Sequence, residues 1–167
     1  MVSNMAELWD AYNDKFEKLE GVTLVRGEKI EGDCYHMVCD VVVKHSDGSY
    51  LLMQRDYNKS HAGCWELTAG GSVLKDEKVE DGAVRELREE TGITGLELKE
   101  IGRDVSDYHR ALYIVYFGVY SGDKNSIILQ RGETIAYKWV SRETLLKMPP
   151  YEMCSSRALG FLKEADL

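Results

Sequence analysis

The stretch GSVLKDEKVEDGAVRELREETGI, residues 71–93, decides how the rest of the chain is read. It crowds Glu86, Glu89 and Glu90 onto one predicted helix. Like charges at i, i+4 weaken a helix by about 0.2–0.5 kcal/mol per pair, so a bound cation is the natural compensation. The spacing predicts a helix from about Asp76 to Thr91, with Gly92 as its left-handed stop. With residue 86 at the origin of a wheel of about 100° per residue, Glu90 falls near about 40° and Glu89 near about 300°. The three carboxylates therefore share one face. Val84, Leu87 and Thr91 fall on a separate stripe that can pack against a sheet. Arg85 stands four residues before Glu89, within its reach. Carboxylate oxygens are hard ligands and suit Mg²⁺ or Mn²⁺ better than zinc or copper. A solvated acidic face is the competing reading. Gly70 and Gly71 favour the metal, because they let the backbone approach an ion or a phosphate.

Outward from that helix, strand and turn signals alternate. YHMVCDVVVKHSDGSYLLMQRD carries β-rich runs at 36–44 and 50–55 around Ser46-Asp47-Gly48-Ser49, a hairpin signal. CWELTAGGSV leads a short strand into the glycine turn. Strands are expected at 96–105, 111–120 and 134–140, with a short helix near SRETLLKM closed by Pro149-Pro150 and a last helix over 154–164. Residues 5–32, punctuated by Gly21, Gly27 and Gly32, read as short strands or a hairpin. ALYIVYFGVY reads as a buried strand; a homodimer through it or through the leader strands stays open. Strands mixed with a few helices argue for an α/β fold, a mixed sheet with helices on both sides.

The 167 residues suit one domain, with a leader over 1–33, a core over 34–148 and a C-terminal helical segment over 149–167. A net charge of −8 argues against an electrostatic grip on nucleic acid or an anionic membrane. It is compatible with a nucleotide, because a metal ion masks local acidity. Cys34, Cys39, Cys64 and Cys154 have neither Cys-x-x-Cys nor zinc spacing, and read as reduced thiols of a cytoplasmic protein. The amino terminus MVSNMAELWD lacks the basic and apolar regions of a signal peptide. No apolar stretch approaches the about 18 residues of a membrane span.

Gly71, five residues, Glu77, seven residues, Arg85-Glu86-Leu87, one residue, Glu89-Glu90, one residue and Gly92-Ile93 form a pattern that resembles the Nudix box with every fixed position filled. The resemblance implies a Nudix-type α/β/α sandwich with a mixed β-sheet and an acidic catalytic helix. It implies hydrolysis of a small-molecule diphosphate, a nucleoside diphosphate linked to another moiety, with Mg²⁺ or Mn²⁺. By the same resemblance Glu86, Glu89, Glu90 and the Gly70 carbonyl hold metal, Arg85 orients the glutamates, and Glu77 is a helix-stabilising or outer-sphere residue. The general base would be Glu89 or Glu86 within the helix, or Glu133 in LQRGETIAYKW. On the substrate side stand Arg55, which can grip a phosphate, Gly71 with its bare backbone, and Trp65 with a face for a base. Tyr57, Tyr108, Tyr137 and His61 are further aromatic candidates.

Two features depart from the common pattern. Ala69 stands where many hydrolases of this family have a proline. The leader WDAYNDKFEKLEGVTLVRGEKI, with Tyr35-His36, looks like that of a subgroup likened to isopentenyl-diphosphate isomerase. His36 falls where such an isomerase has a metal-site histidine. The cysteine it needs before the glycine turn is replaced by LTAGG, and Cys64 comes too early. Isomerisation, or a catalytically silent nucleotide-binding Nudix module, is the alternative to the hydrolysis that the complete box favours.

Overall fold

A computed structural model describes residues 6–167. The absence of a signal peptide, read partly from residues 1–5, concerns a segment outside the described residues. The leader forms an antiparallel hairpin, β1 (Leu8–Tyr12) with β2 (Lys18–Val25). There follow β3 (His36–His45), β4 (Tyr50–Arg55), β5 (Trp65–Glu66), β6 (Thr68–Ser72) and α1 (Val79–Thr91). The chain continues through β7 (Lys99–Ser106), β8 (Ala111–Tyr120), β9 (Thr134–Val140), α2 (Arg142–Lys147), a 3₁₀ turn at Pro150–Glu152 and α3 (Arg157–Glu164). Among the described residues no helix is long and apolar enough to cross a membrane.

Seven strands make a mixed sheet ordered β5-β4-β3-β8-β7, with β6 also on β3 and β9 also on β4. β3 and β8 run parallel over ten residue pairs, and the other pairings are antiparallel. Strand alternation along β3 sets the layers. Met37, Cys39, Val41 and Val43 are buried together with Ala83 and Leu87 of α1. Val42 faces the opposite way, into a second core with Leu145 of α2 and Ala158 and Leu162 of α3. The sheet is therefore sandwiched between helices. Leu87, 2% exposed, contributes about 1.5–3 kcal/mol by its burial.

Helix α1 starts later than its sequence pattern suggests. Asp76 has φ 61° and Lys78 is the extended residue before the first turn, so residues 76–78 belong to the approach. The helix ends as expected: Gly92, at φ 76°, donates its N–H to the Arg88 carbonyl. One expectation is corrected. Val84 is 46% exposed, while Gly82, Ala83, Leu87, Glu90 and Thr91 are buried. Small Gly82 and Ala83 let the helix roll closer to the sheet on that side, which turns Glu90 inward and Val84 out.

β3 also creates an opening. It pairs with β4 at Lys44↔Tyr50 but with β6 from Val38 to Val42. β4 and β6 thus part from a common neighbour, and Arg55 and Gly70 come to stand beside the gap. The leader closes over the same end of the sheet. Tyr12 bridges to Tyr35, and the Trp9 ring stacks on His36 at 4.3 Å between centroids.

Candidate active site

A cavity of about 270 Å³ lies against α1 and the β6 turn. Gly70, Gly71, Glu86, Glu89 and Glu90 line it, together with Arg55, Lys59, Arg85, Gln130 and Glu133, and with Glu7 and Arg26 from the leader. The acidic helix and the glycine turn are therefore brought together as the spacing implied. Arg85 organises them. Its Nε and Nη2 donate to the two oxygens of Glu77 at 2.8 and 2.9 Å, and Nη2 also donates to the Ser72 carbonyl at 3.1 Å. Nη1 donates to Glu86 Oε1 at 2.5 Å and stands 3.5 Å from Glu89 Oε2. Glu77 is pinned in turn by the Leu74 N–H at 2.9 Å. Its hydrogen bond from Arg85 holds its carboxyl below the usual range.

The inner acids lean the other way. Burial pushes the Glu90 carboxyl well above its usual value, and the nearby charges of Glu66 and Glu86 add to the rise. The Gly70 N–H, donating to Glu90 Oε2 at 3.2 Å, offsets only part of it. Burial also raises Glu86, against the pull of Arg85. Two acids are thus short of positive charge. At Gly71 the wall must be bare: a Cβ there would lie 2.6 Å from Glu86 Oε1. This donor set fits Mg²⁺ or Mn²⁺, hard ions that want oxygen ligands. Among the described residues no three His, Cys, Asp or Glu side chains form a ready-made cage. Mg²⁺ takes only one or two protein carboxylates, with water and phosphate for the rest.

Glu133 lines the same cavity, and Lys59 holds its carboxylate in an ion pair. Arg55 donates from Nη1 to Glu66 Oε1 at 2.7 Å and from Nε to the Ser60 carbonyl at 2.8 Å. It also lines a second cavity of about 380 Å³, which shares Gly70 with the first. Asp40, His61, Thr68, Tyr113 and Arg157 are on its walls. Burial pushes the Asp40 carboxyl up to about 7.

Some expected residues stand elsewhere. Trp65 lines neither cavity; its ring packs against the second core, with Lys138 Nζ 3.9 Å from the ring centroid. It lies in β5, whose pairing with β4 carries it along the sheet instead of into the gap. Tyr137 packs on the first core, while Tyr57 and Tyr108 are 72% and 90% exposed. His36, stacked on Trp9, is pushed down to about 4 by burial. Glu7, Arg26, Lys59 and Asp40 were not expected. For the leader pair no local pattern announces a contact made across the fold. Asp40 does leave a trace, as the one charge within the apolar run MVCDVVV.

The NUDIX domain profile matches residues 35–158. An uncharacterized Nudix hydrolase of Listeria innocua is 30% identical over 141 residues, 83% of this chain and 82% of that one. One from Listeria monocytogenes is 39% identical over 88 residues, and that match spans 52% of each chain, about half the relative's length. The CTP pyrophosphohydrolase of Escherichia coli K12 is 36% identical over 105 residues, 62% of this chain and 74% of that one. In fold, the structure is similar to a solved protein of Deinococcus radiodurans, with a TM-score of 0.75 at 18% identity over 94% of this chain and 98% of the other. From the profile match, the relatives and the shared architecture, the chain belongs to the Nudix family of pyrophosphohydrolases.

Proposed function

We propose that this chain uses Mg²⁺ or Mn²⁺ to hydrolyse the diphosphate bond of a nucleoside diphosphate linked to another moiety. One observation carries the reading: Glu86, Glu89, Glu90 and the Gly70–Gly71 turn share one cavity beneath the Arg85–Glu77 clamp. Glu86, Glu89, Glu90 and the Gly70 carbonyl would hold the ion. A bound divalent ion neutralises the diphosphate and makes an attacking water more acidic. Arg85 keeps Glu86 and Glu89 aimed inward. Glu89, where an oxygen is left uncommitted to the ion, takes the water's proton as general base, since among the described residues its one ion pair is the 3.5 Å contact with Arg85. Glu133 is the alternative acceptor, and would first have to give up Lys59. Arg55, at the junction of the cavities, grips a phosphate, and the bare Gly71 backbone leaves it room.

The name of the Escherichia coli relative places CTP first among substrates to try. The isomerase-like reading gains no support from His36, which is stacked on Trp9 and absent from the cavity lining. We treat residues 1–167 as one domain, and place it in the cytoplasm on its cysteine pattern. The test is a panel of nucleoside triphosphates, nucleotide sugars and dinucleoside polyphosphates, each with Mg²⁺ and with Mn²⁺. Release of a nucleoside monophosphate that stops on chelation is the expected result. Failure to cleave any member with either ion would sink the proposal.

A further inference from the structure

We propose that Arg26 is a specificity-determining residue, whose guanidinium grips the terminal phosphate of a substrate laid along the acidic cavity. The choice of ligand rests on the function proposed above; the placement of the cation does not. The cavity follows β6. Gly70, paired with Asp40 of β3, stands at its Arg55 end. Ser72, paired with Val38, comes two residues on, about 7 Å further by strand rise. Ser72 Oγ is 3.3 Å from His36 Nδ1, His36 stacks on Trp9, and Trp9 Nε1 donates to Glu7 Oε1 at 2.6 Å. That succession of contacts brings Glu7 and its partner Arg26 to the end opposite Arg55.

Arg26 differs from the other cations on these walls. The side chains of Arg55, Lys59 and Arg85 are 20%, 25% and 19% exposed, and that of Arg26 is 58% exposed. Among the described residues its one side-chain hydrogen bond runs from Nη1 to Glu7 Oε2 at 2.9 Å, so Nε and Nη2 face outward for a ligand. Pinning the leader does not account for the side chain. The hairpin closes through backbone: Leu8 pairs with Val25, and the Arg26 N–H donates to the Glu7 carbonyl at 2.9 Å. An exposed ion pair adds little to that, and Glu7 keeps its bond from Trp9 when the arginine turns away. The guanidinium fork matches phosphate oxygens two at a time. With Arg55 at one end and Arg26 at the other, a phosphate chain crossing Glu86, Glu89 and Glu90 is held at both ends. A nucleoside triphosphate presents a charged phosphate to Arg26. A nucleotide sugar presents neutral hydroxyls there instead. Arg26 therefore selects substrates whose phosphate chain has a free end.

Calorimetry with Mg²⁺ and the non-hydrolysable α,β-methylene analogues of CTP, ATP, CDP-glucose and ADP-glucose tests this without requiring turnover. The wild type should bind at least one triphosphate analogue about tenfold tighter than the matching sugar analogue, the size of one charge-assisted hydrogen bond. In Arg26→Gln that ratio should collapse toward one through weaker binding of the triphosphate, with the sugar analogue unmoved. Arg26→Lys keeps the charge and should restore part of the ratio. Glu7→Gln breaks the ion pair but leaves the guanidinium in place, so the ratio should survive. Equal affinities in the wild type, no binding of any analogue, a ratio that survives Arg26→Gln, or an equal loss in Glu7→Gln, as a bracing contact would give, would each overturn the assignment. Discrimination without hydrolysis of any natural nucleotide would leave it standing and remove only the proposed reaction. Hydrolysis with indifference to Arg26 would do the reverse.

Discussion

Glu90 and the two glycines beside it separate what the site needs for folding from what it needs for chemistry. Glu90 is 8% exposed, and burial drives its carboxyl toward protonation. Glu90→Gln keeps the shape and an acceptor for the Gly70 N–H while removing the charge. Turnover should fall by about 10²-fold or more, with a melting temperature equal to or above that of the wild type. Steady-state rates and thermal unfolding on one preparation check both halves, and a rate unchanged in the variant would refute the role. The glycines divide differently. A Cβ at Gly70 would stand 2.2 Å from the Cys39 carbonyl, a backbone atom that cannot turn aside. Gly70→Ala should destabilise the protein by about 1–3 kcal/mol. A Cβ at Gly71 would meet only the end of the Glu86 side chain, at 2.6 Å. Gly71→Ala should fold almost normally and lose about tenfold in activity, because it pushes a ligand off its aim. Denaturant melts should therefore place Gly70→Ala well below Gly71→Ala in stability.

At the scale of elements, the leader hairpin is held to the core by a carboxylate whose environment differs from that of Glu90. Asp10 is 5% exposed, accepts from the Asp76 N–H at 2.9 Å and pairs with Lys18 at 2.8 Å. Burial alone would raise its carboxyl. The Lys18 and Asp76 hydrogen bonds, with the charges of Lys18 and Lys75, outweigh burial and leave it below its usual value. A carboxylate depressed in the folded state adds stability that is complete above its unfolded value of about 3.9 and is lost as pH falls through the folded one. The wild type should therefore be more stable than Asp10→Asn at pH 6, and the difference should shrink to nothing as the pH drops below about 4. Thermal unfolding of both proteins across that range measures it; a gap independent of pH would mean that the contact is not ionic. The hairpin also carries Glu7 and Arg26 to the acidic cavity, where Arg26 Nη1 donates to Glu7 Oε2 at 2.9 Å. Both lie outside the 35–158 family match, so the leader lines the acidic cavity as well as bracing the scaffold.

Across the whole molecule, what could be read from the chain follows what is local in it. Period-two runs and the Asp-Gly turn locate β3 and β4, and period-3.6 spacing with Gly92 locates α1, because backbone and side-chain direction are set within a few residues. A wheel says which residues share a face but not how the helix rolls on its sheet; it puts Val84 inward and gives no sign that Glu90 is buried. Trp65 has the face to stack a base, but strand pairing sends it toward Lys138. The same distinction bears on the ion. Both apolar cores close on either side of the sheet through side chains such as Val41, Leu87, Val42 and Leu162, and neither includes a box glutamate. The proposed metal would therefore be a requirement of the site and not of the fold. Stripped with chelator, the protein should keep a single cooperative unfolding transition. Mg²⁺ or Mn²⁺ should then raise Tm, since an ion that binds only the folded state stabilises it by about 2.7 kcal/mol at a hundredfold excess over Kd. In Glu90→Gln the rise should be smaller at the same ion concentration, because one charged ligand is gone. Unfolding on chelation would contradict the independence of the cores, and a Tm indifferent to both ions in the wild type would contradict the site.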